Sequence, residues 1–249
     1  MSKTKEPASK RQKVSLTKEK PVEDNTANMK LIQTLEKGLR AAGNRNIAQG
    51  QEKYLRNQFK CLGVMTTERR KIMNPIFKAE KISNNEQLQK TVKLLYTMEE
   101  REFSHCGMDL LFHHRKLWTP ETLPPLKEFI EYSKWWDVVD FLATNALGHL
   151  ITQHPELRPE MDNWIEDENL WVRRSAILYQ LKYKENTDED ILFSYCAKRM
   201  HETDFFIRKA IGWALRQYSK TSPTSVKDFI DNNREKLSGL SIREGSKYI

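Results

Sequence analysis

From residue 29 onward, apolar residues recur every three to four positions and are interrupted only by short polar breaks, the period of amphipathic helices. The pattern predicts helices over about 29–42, 48–61, 67–81, 85–98, 100–116, 120–133 and 135–152. It continues through about 157–166, 169–184, 188–201, 204–219, 223–234 and 236–246. Several breaks carry helix-start chemistry: Thr119-Pro120-Glu121, Asn186-Thr187 before Asp188-Glu189-Asp190, and Ser222-Pro223. No alternating Val/Thr-rich run points to a strand, and nine glycines and nine prolines leave few breaks beyond these.

Many helices of about four turns joined by loops of a few residues predict an all-α stack of helix pairs. Exact self-similarity along the chain is weak, as it is in degenerate HEAT-type repeats. Such a solenoid curves and offers a concave face to a long partner. Residues 1–29 stand apart: poor in large apolar side chains and rich in Lys, Glu, Ser and Thr, they read as a disordered basic tail before a single domain over 30–249. The run Lys10-Arg11-Gln12-Lys13 fits a nuclear import signal, a loose DNA-binding arm or a plain solvated tail.

Three helices contain residues that a simple core stripe does not explain. In 204–219, Ile207, Ala210, Ile211, Ala214 and Tyr218 form the expected core stripe, while Lys209, Trp213, Arg216 and Lys220 share the opposite side. A tryptophan among cations either packs on a neighbouring helix with the cations snorkelling around it, or serves a phosphate-tracking surface. The second reading is preferred. In 135–152, Trp135 and Trp136 point about 100° apart. Asp140 lies one turn beyond Trp136, beside the apolar row of Ala143 and Leu147. A carboxylate there needs a partner. On the residues alone, a structural aspartate that binds a helix N-terminus or an arginine is the favoured reading. Asp137, in the first turn, reads as a helix-dipole residue. In 169–184, Arg174 lines up with Leu170, Ile177 and Leu181, flanked by Arg173, Lys182 and Lys184. Arg174 either pairs with a carboxylate such as Asp140 or reaches a phosphate bidentately.

The formal net charge of +8 turns this cationic stripe into an expectation of an acidic polymer or surface as partner. Residues 1–29 hold seven cations against four acids, so the predicted domain keeps an excess of about five. Cys61, Cys106 and Cys196 are far apart and match no motif, which predicts reduced thiols in an intracellular protein. No stretch has the length of a membrane span or a secretion signal. His113-His114 cannot both face one metal from a helix, and no phosphate loop, nucleophile elbow or Ser/His/Asp set occurs; neither metal nor cofactor is expected.

At these same positions the chain resembles the AlkD-like DNA alkylation repair glycosylases. The resemblance rests on Trp135-Trp136-Asp137-Val138-Val139-Asp140, on Trp171-Val172-Arg173-Arg174-Ser175-Ala176-Ile177-Leu178, and on Ala210-Ile211-Gly212-Trp213-Ala214-Leu215-Arg216. Earlier, Tyr54-Leu55-Arg56-Asn57-Gln58-Phe59 and Leu62-Gly63-Val64, followed by Thr67-Glu68-Arg69-Arg70, are similar to that family's N-terminal pattern. The motifs keep their order and spacing over about 30–249. The resemblance implies a C-shaped bundle of HEAT-like repeats with a concave basic cleft for duplex DNA. It implies monomeric enzymes that hydrolyse the N-glycosidic bond of cationic adducts such as 3-methyladenine and 7-methylguanine, in base excision repair, without drawing the base into a pocket.

By the same resemblance Asp140 matches the catalytic carboxylate, and Trp136 and Trp213 match tryptophans against the lesion-bearing deoxyribose. Arg174 matches a cleft arginine, and Tyr54, Lys182 and Arg216 match further DNA contacts; Lys209 and Arg173 join them as cations on the same helices. Met65, where relatives often carry a polar residue, and Thr66-Thr67, in place of a more usual Thr-Pro, depart from the pattern. They bear on lesion preference and on grip at the N-terminal side. Substrate and tail together imply a nuclear location in a eukaryote, or the cytoplasm and nucleoid otherwise. Two other classes remain: a non-catalytic HEAT-repeat binder of DNA structure, which does not need Asp140, and a protein-binding HEAT scaffold, which needs neither Trp213 among cations nor salt-sensitive DNA affinity.

Overall fold

The computed structural model describes residues 27–249, and every described regular element is helical. The basic run at 10–13 lies outside the described residues. At the start of the described residues Ala27 is buried and Asn28 caps the first helix by accepting from the N–H of Leu31. The helices are α1 (Met29–Ala41), α2 (Arg45–Tyr54), α3 (Thr66–Ala79), α4 (Asn85–Thr97), α5 (Arg101–His113), α6 (Leu123–Ser133) and α7 (Trp136–Phe141). They continue as α8 (Gly148–Gln153), α9 (Glu160–Trp164), α10 (Leu170–Leu178), α11 (Glu189–Arg199), α12 (Phe205–Tyr218), α13 (Pro223–Asn232) and α14 (Gly239–Gly245).

Helices pack on near neighbours in the chain, α1 on α3 and α4, α3 and α4 on α5, α5 and α6 on α7, α10 on α12, and α12 on α14. That is the one-dimensional logic of a HEAT-like solenoid, in which each unit buries its apolar stripe against the next. One contiguous core runs from Leu31, Leu35 and Leu39 through Leu88, Phe103, Leu126 and Val172 to Ile207 and Ile211. Burying each such side chain contributes roughly 1.5–3 kcal/mol. The three cysteines are unpaired and buried, and burial pushes each thiol up to about 12.

Side-chain caps fix half of the helix starts. Asn44, Asn84, Asn169, Asp188 and Asp204 each accept from a backbone N–H in the first turn. Asp188 itself, rather than Thr187, is the cap of α11, because its carboxylate reaches the N–H of Ile191. Two predicted helices stop well short of the C-terminal end of their apolar pattern. The helix placed over 48–61 ends at Tyr54, since Arg56 and Asn57 adopt left-handed φ of 55° and turn the chain. The turn brings Gly63, with φ of 85°, so close to Asn44 that a Cβ would lie 1.9 Å from its carbonyl oxygen. The helix placed over 169–184 gives way to turns after Leu178.

The third difference bears on the site. The predicted helix 135–152 is α7 and α8 joined by a π-helical segment, Leu142–Leu147. The wider turn shifts the register after Phe141, so Ala143 and Leu147 are fully buried while Asp140 is left half-buried one turn earlier. The i+4 side chains of Thr144 and Asn145 donate to the carbonyls of Asp140 and Phe141. Gly148 then passes so close to α10 that a Cβ would meet the Tyr179 carbonyl at 2.4 Å.

Candidate functional site

Asp140 projects from the end of α7 into a cleft of about 290 Å³ lined by Trp136, Arg174, Phe205, Phe206, Lys209, Trp213 and Arg216. Three stacked helices supply it: α7 gives the carboxylate and one tryptophan, α10 the buried arginine, and α12 the aromatic and cationic wall. Arg174 grips Asp140 with both arms of the guanidinium, Nε to Oδ1 at 2.7 Å and Nη2 to Oδ2 at 2.8 Å. Its remaining arm, Nη1, donates to the Phe206 carbonyl at the start of α12. Of the two readings open for Arg174, the structure shows the carboxylate pair. This grip offsets the cost of placing Asp140 beside apolar walls and fixes its orientation.

The adjacent tryptophans part company as their spacing requires. Trp135 turns inward against Trp171 and Phe206, with ring centroids at 6.1 and 5.4 Å. Trp136 faces the cleft and meets the edge of Tyr54 at 5.6 Å, so α2 closes one side of the site. Tyr54 itself is exposed. The cleft thus brings together Asp140, Trp136, Trp213, Arg174, Lys209, Arg216 and, at its rim, Tyr54.

Three cationic positions behave otherwise. Arg173 is withdrawn from the cleft: Nε and Nη2 hold Glu202, and Nη1 donates to the carbonyls of Asp167 and Glu168. A guanidinium committed in all directions acts as a tie between α10 and the turn before α12. Lys182 lies in the neighbouring groove beside Arg158 and Tyr183, its Nζ donating to the side-chain amide oxygen Oδ1 of Asn145 in the π segment. Lys220, on the predicted stripe, sits over the Tyr248 ring at 5.1 Å.

Several residues of the site were not singled out by the sequence reading. Phe205 and Phe206 line the cleft from the N-terminus of α12, and Phe205 is exposed there. Glu244, from α14, bonds Lys209 at 3.0 Å and Arg216 at 2.6 Å, and Lys247 from the turn after its own helix at 3.0 Å. Hydrogen bonds from Lys209 and Lys247 hold its carboxyl at about 2, below the ordinary glutamate value. Gly212 makes this approach of α14 possible, since a Cβ on it would lie 2.6 Å from that of Glu244. A glycine inside an otherwise good helix was the available signal of close helix packing.

Asp137 is more than a helix-dipole residue. Arg101 of α5 holds it at 2.6 and 3.0 Å, and His105 Nε2 reaches it at 2.8 Å. Burial pushes its carboxyl up, but the bonds from His105 and Arg101 prevail and hold it at about 2. Burial also lowers the His105 imidazole below its usual range. Arg101 further donates to the Ser133 carbonyl, at the break where Lys134 turns left-handed between α6 and α7. The break that aims Trp136 and Asp140 into the cleft is therefore pinned from α5. Nearby, Glu102 accepts from the N–H groups of Leu62, Gly63 and Val64, fixing the loop behind Tyr54.

A family model described as "DNA alkylation repair enzyme" matches residues 35–249. The fold is similar to a solved structure described as a predicted DNA alkylation repair enzyme from Enterococcus faecalis. The two share 32% identity and a TM-score of 0.78, over 83% of this chain and 96% of that one. It is also similar in fold to AlkD2 from Streptococcus mutans, at 21% identity and a TM-score of 0.58, over 81% of this chain and 99% of that one. The smu.31 protein of Streptococcus mutans UA159 matches at 20% identity and a TM-score of 0.56, over 85% and 99%. A search of curated protein sequences finds no match.

Proposed function

This chain belongs to the DNA alkylation repair enzyme family, and from that premise we propose that it is a monomeric, monofunctional DNA glycosylase acting in base excision repair. Its substrates are purines made cationic by alkylation at N3 or N7, 3-methyladenine and 7-methylguanine, in duplex DNA. The observation that carries the reading is the Asp140 carboxylate, gripped by Arg174 and open to a cleft with Trp136 and Trp213 in its walls.

An alkylated purine already bears a positive charge, so it departs without a general acid. As the bond from C1′ to nitrogen breaks, its electron pair moves into the purine ring and neutralises that charge. Positive charge then develops on the deoxyribose, in an oxocarbenium-like transition state. A carboxylate held rigidly in a cleft stabilises that charge without reorganising, an effect on the order of several kcal/mol. The π faces of Trp136 and Trp213 favour a cation beside them by about 0.5–2 kcal/mol. Water adds at C1′ and loses a proton, leaving an abasic sugar and the free neutral base. Lys209 and Arg216 take phosphates at the cleft, Lys182 takes one from the adjoining groove, and Tyr54 meets the backbone at the rim. Arg173, committed to Glu202, has no part in this.

The test is single-turnover release of 7-methylguanine from duplex DNA by the wild type and by Asp140→Asn. Release by the wild type, with a loss of about 10²–10³-fold in the variant at nearly unchanged DNA affinity, is expected. Equal rates would remove Asp140 from the chemistry, and no release by the wild type would overturn the glycosylase reading.

A further inference from the structure

The cleft contains more cations than its carboxylate can tolerate unpaired. Asp140 shares it with Arg174, which it already binds, and with Lys209 and Arg216 from α12. A flexible lysine or arginine near an anion in a partly dry cleft closes onto it, because attraction at effective dielectrics near 20 is about fourfold that in water. Either cation on Asp140 would screen the charge that the sugar cation needs. Neither is free to do so. Glu244, almost wholly buried, binds Lys209 through Oε1 and Arg216 through Oε2, the second oxygen also taking Lys247. Lys209, Trp213 and Arg216 follow one another along α12 at helical spacing, and the side chain of Glu244 enters at Gly212, where only a glycine admits it.

We propose that Glu244 is a positioning residue that partitions charge in the cleft, keeping Lys209 and Arg216 on either side of Trp213 and off Asp140. The inference rests on the glycosylase reading for its catalytic consequence. It also carries a binding consequence that does not depend on that reading: Glu244 competes with DNA phosphates for the same two cations. Removing its charge therefore strengthens DNA binding while weakening excision. A residue that merely holds α14 in place would lower both.

The experiment compares wild type, Glu244→Gln, Glu244→Asp and the double variant Glu244→Gln/Lys209→Gln, after thermal melts establish which are folded. Each is given saturating enzyme and 7-methylguanine duplex for single-turnover release, and unmodified duplex for affinity over a salt series. Glu244→Gln should release base about tenfold more slowly, one factor of ten corresponding to a modest electrostatic loss at the transition state. It should bind duplex about threefold more tightly at low salt, with a steeper salt dependence. The double variant, with one cation fewer to fall on Asp140, should recover release to within about threefold of wild type. Glu244→Asp, which keeps the charge on a shorter arm, should fall between wild type and Glu244→Gln, and reads the proposal should the glutamine variant not fold. Wild-type release by Glu244→Gln at saturation, a double variant no faster than the single, or Glu244→Asp as slow as Glu244→Gln would each overturn it. If the wild type releases no base, the glycosylase reading fails, and the affinity series still decides the charge partition: unchanged or weaker binding by Glu244→Gln refutes it.

Discussion

Asp137 and Asp140 stand three residues apart on α7, and each is held by both arms of an arginine, yet they face different worlds. Asp137 borders a smaller cavity of about 160 Å³, and there Arg101 and His105 both reach it from α5. Asp140 looks toward α10 and α12, where Arg174 reaches it and the rest of its surroundings is cleft. An ion pair whose carboxylate takes a further protein partner, here His105, is a structural pin. The same pair left open on one side, between aromatic walls, is a preorganised anion waiting for a cation. The difference lies in what surrounds the carboxylate, since identity, helix and guanidinium partner type are the same.

The comparison is most directly challenged by exchanging the two charges for amides. Asp140→Asn should lose excision by the 10²–10³-fold stated above, whereas Asp137→Asn should retain release within about threefold at temperatures where it is folded, because its charge stabilises no transition state. Comparable losses at saturation in both variants would erase the distinction. Denaturant melts should reverse the ranking. Asp137→Asn leaves the buried Arg101 guanidinium without its anion and should destabilise by about 3 kcal/mol or more, against a smaller loss at the more open Asp140.

Acid sharpens the contrast further. The folded Asp137 carboxyl, at about 2, lies below its ordinary 3.8, so its contribution to stability is present above about pH 4 and is lost as pH falls towards 2. That contribution is about 2 kcal/mol. Melts of wild type and Asp137→Asn between pH 5 and 2 should therefore converge as pH falls; parallel curves would show that the pair does not hold this carboxyl down. The smallest effect separates Lys209 from Arg173. Lys209→Gln should reduce the slope of log affinity against log salt by about one, and Arg173→Gln should leave it unchanged while lowering the melting temperature. Equal slopes in the two variants would place Arg173 back on the DNA.

Much of this was legible along the chain. Apolar spacing located nearly every helix, and Asn and Asp caps set the starts of several, because helix formation and capping depend on residues within one turn. The out-of-place Trp213, Asp140 and Arg174 could also be identified, since a polar group on an apolar stripe or a tryptophan among cations violates a local rule whatever the fold. The sequence could leave Arg174 with two possible partners but not choose between them. Tertiary packing chose. It placed Asp140 and Arg174, thirty-four positions apart, at 2.7 Å; committed Arg173, its immediate neighbour, to Glu202; and made a pin of Asp137. It also brought Glu244 from the last helix onto the cations of α12 through the gap at Gly212. A helix period reports which side of a helix is buried, and the π turn after Phe141 shows that even this period can shift. Which charge meets which is set by the stacking of helices distant in the chain, where attraction falls with distance and burial raises its strength, and no local pattern encodes either quantity.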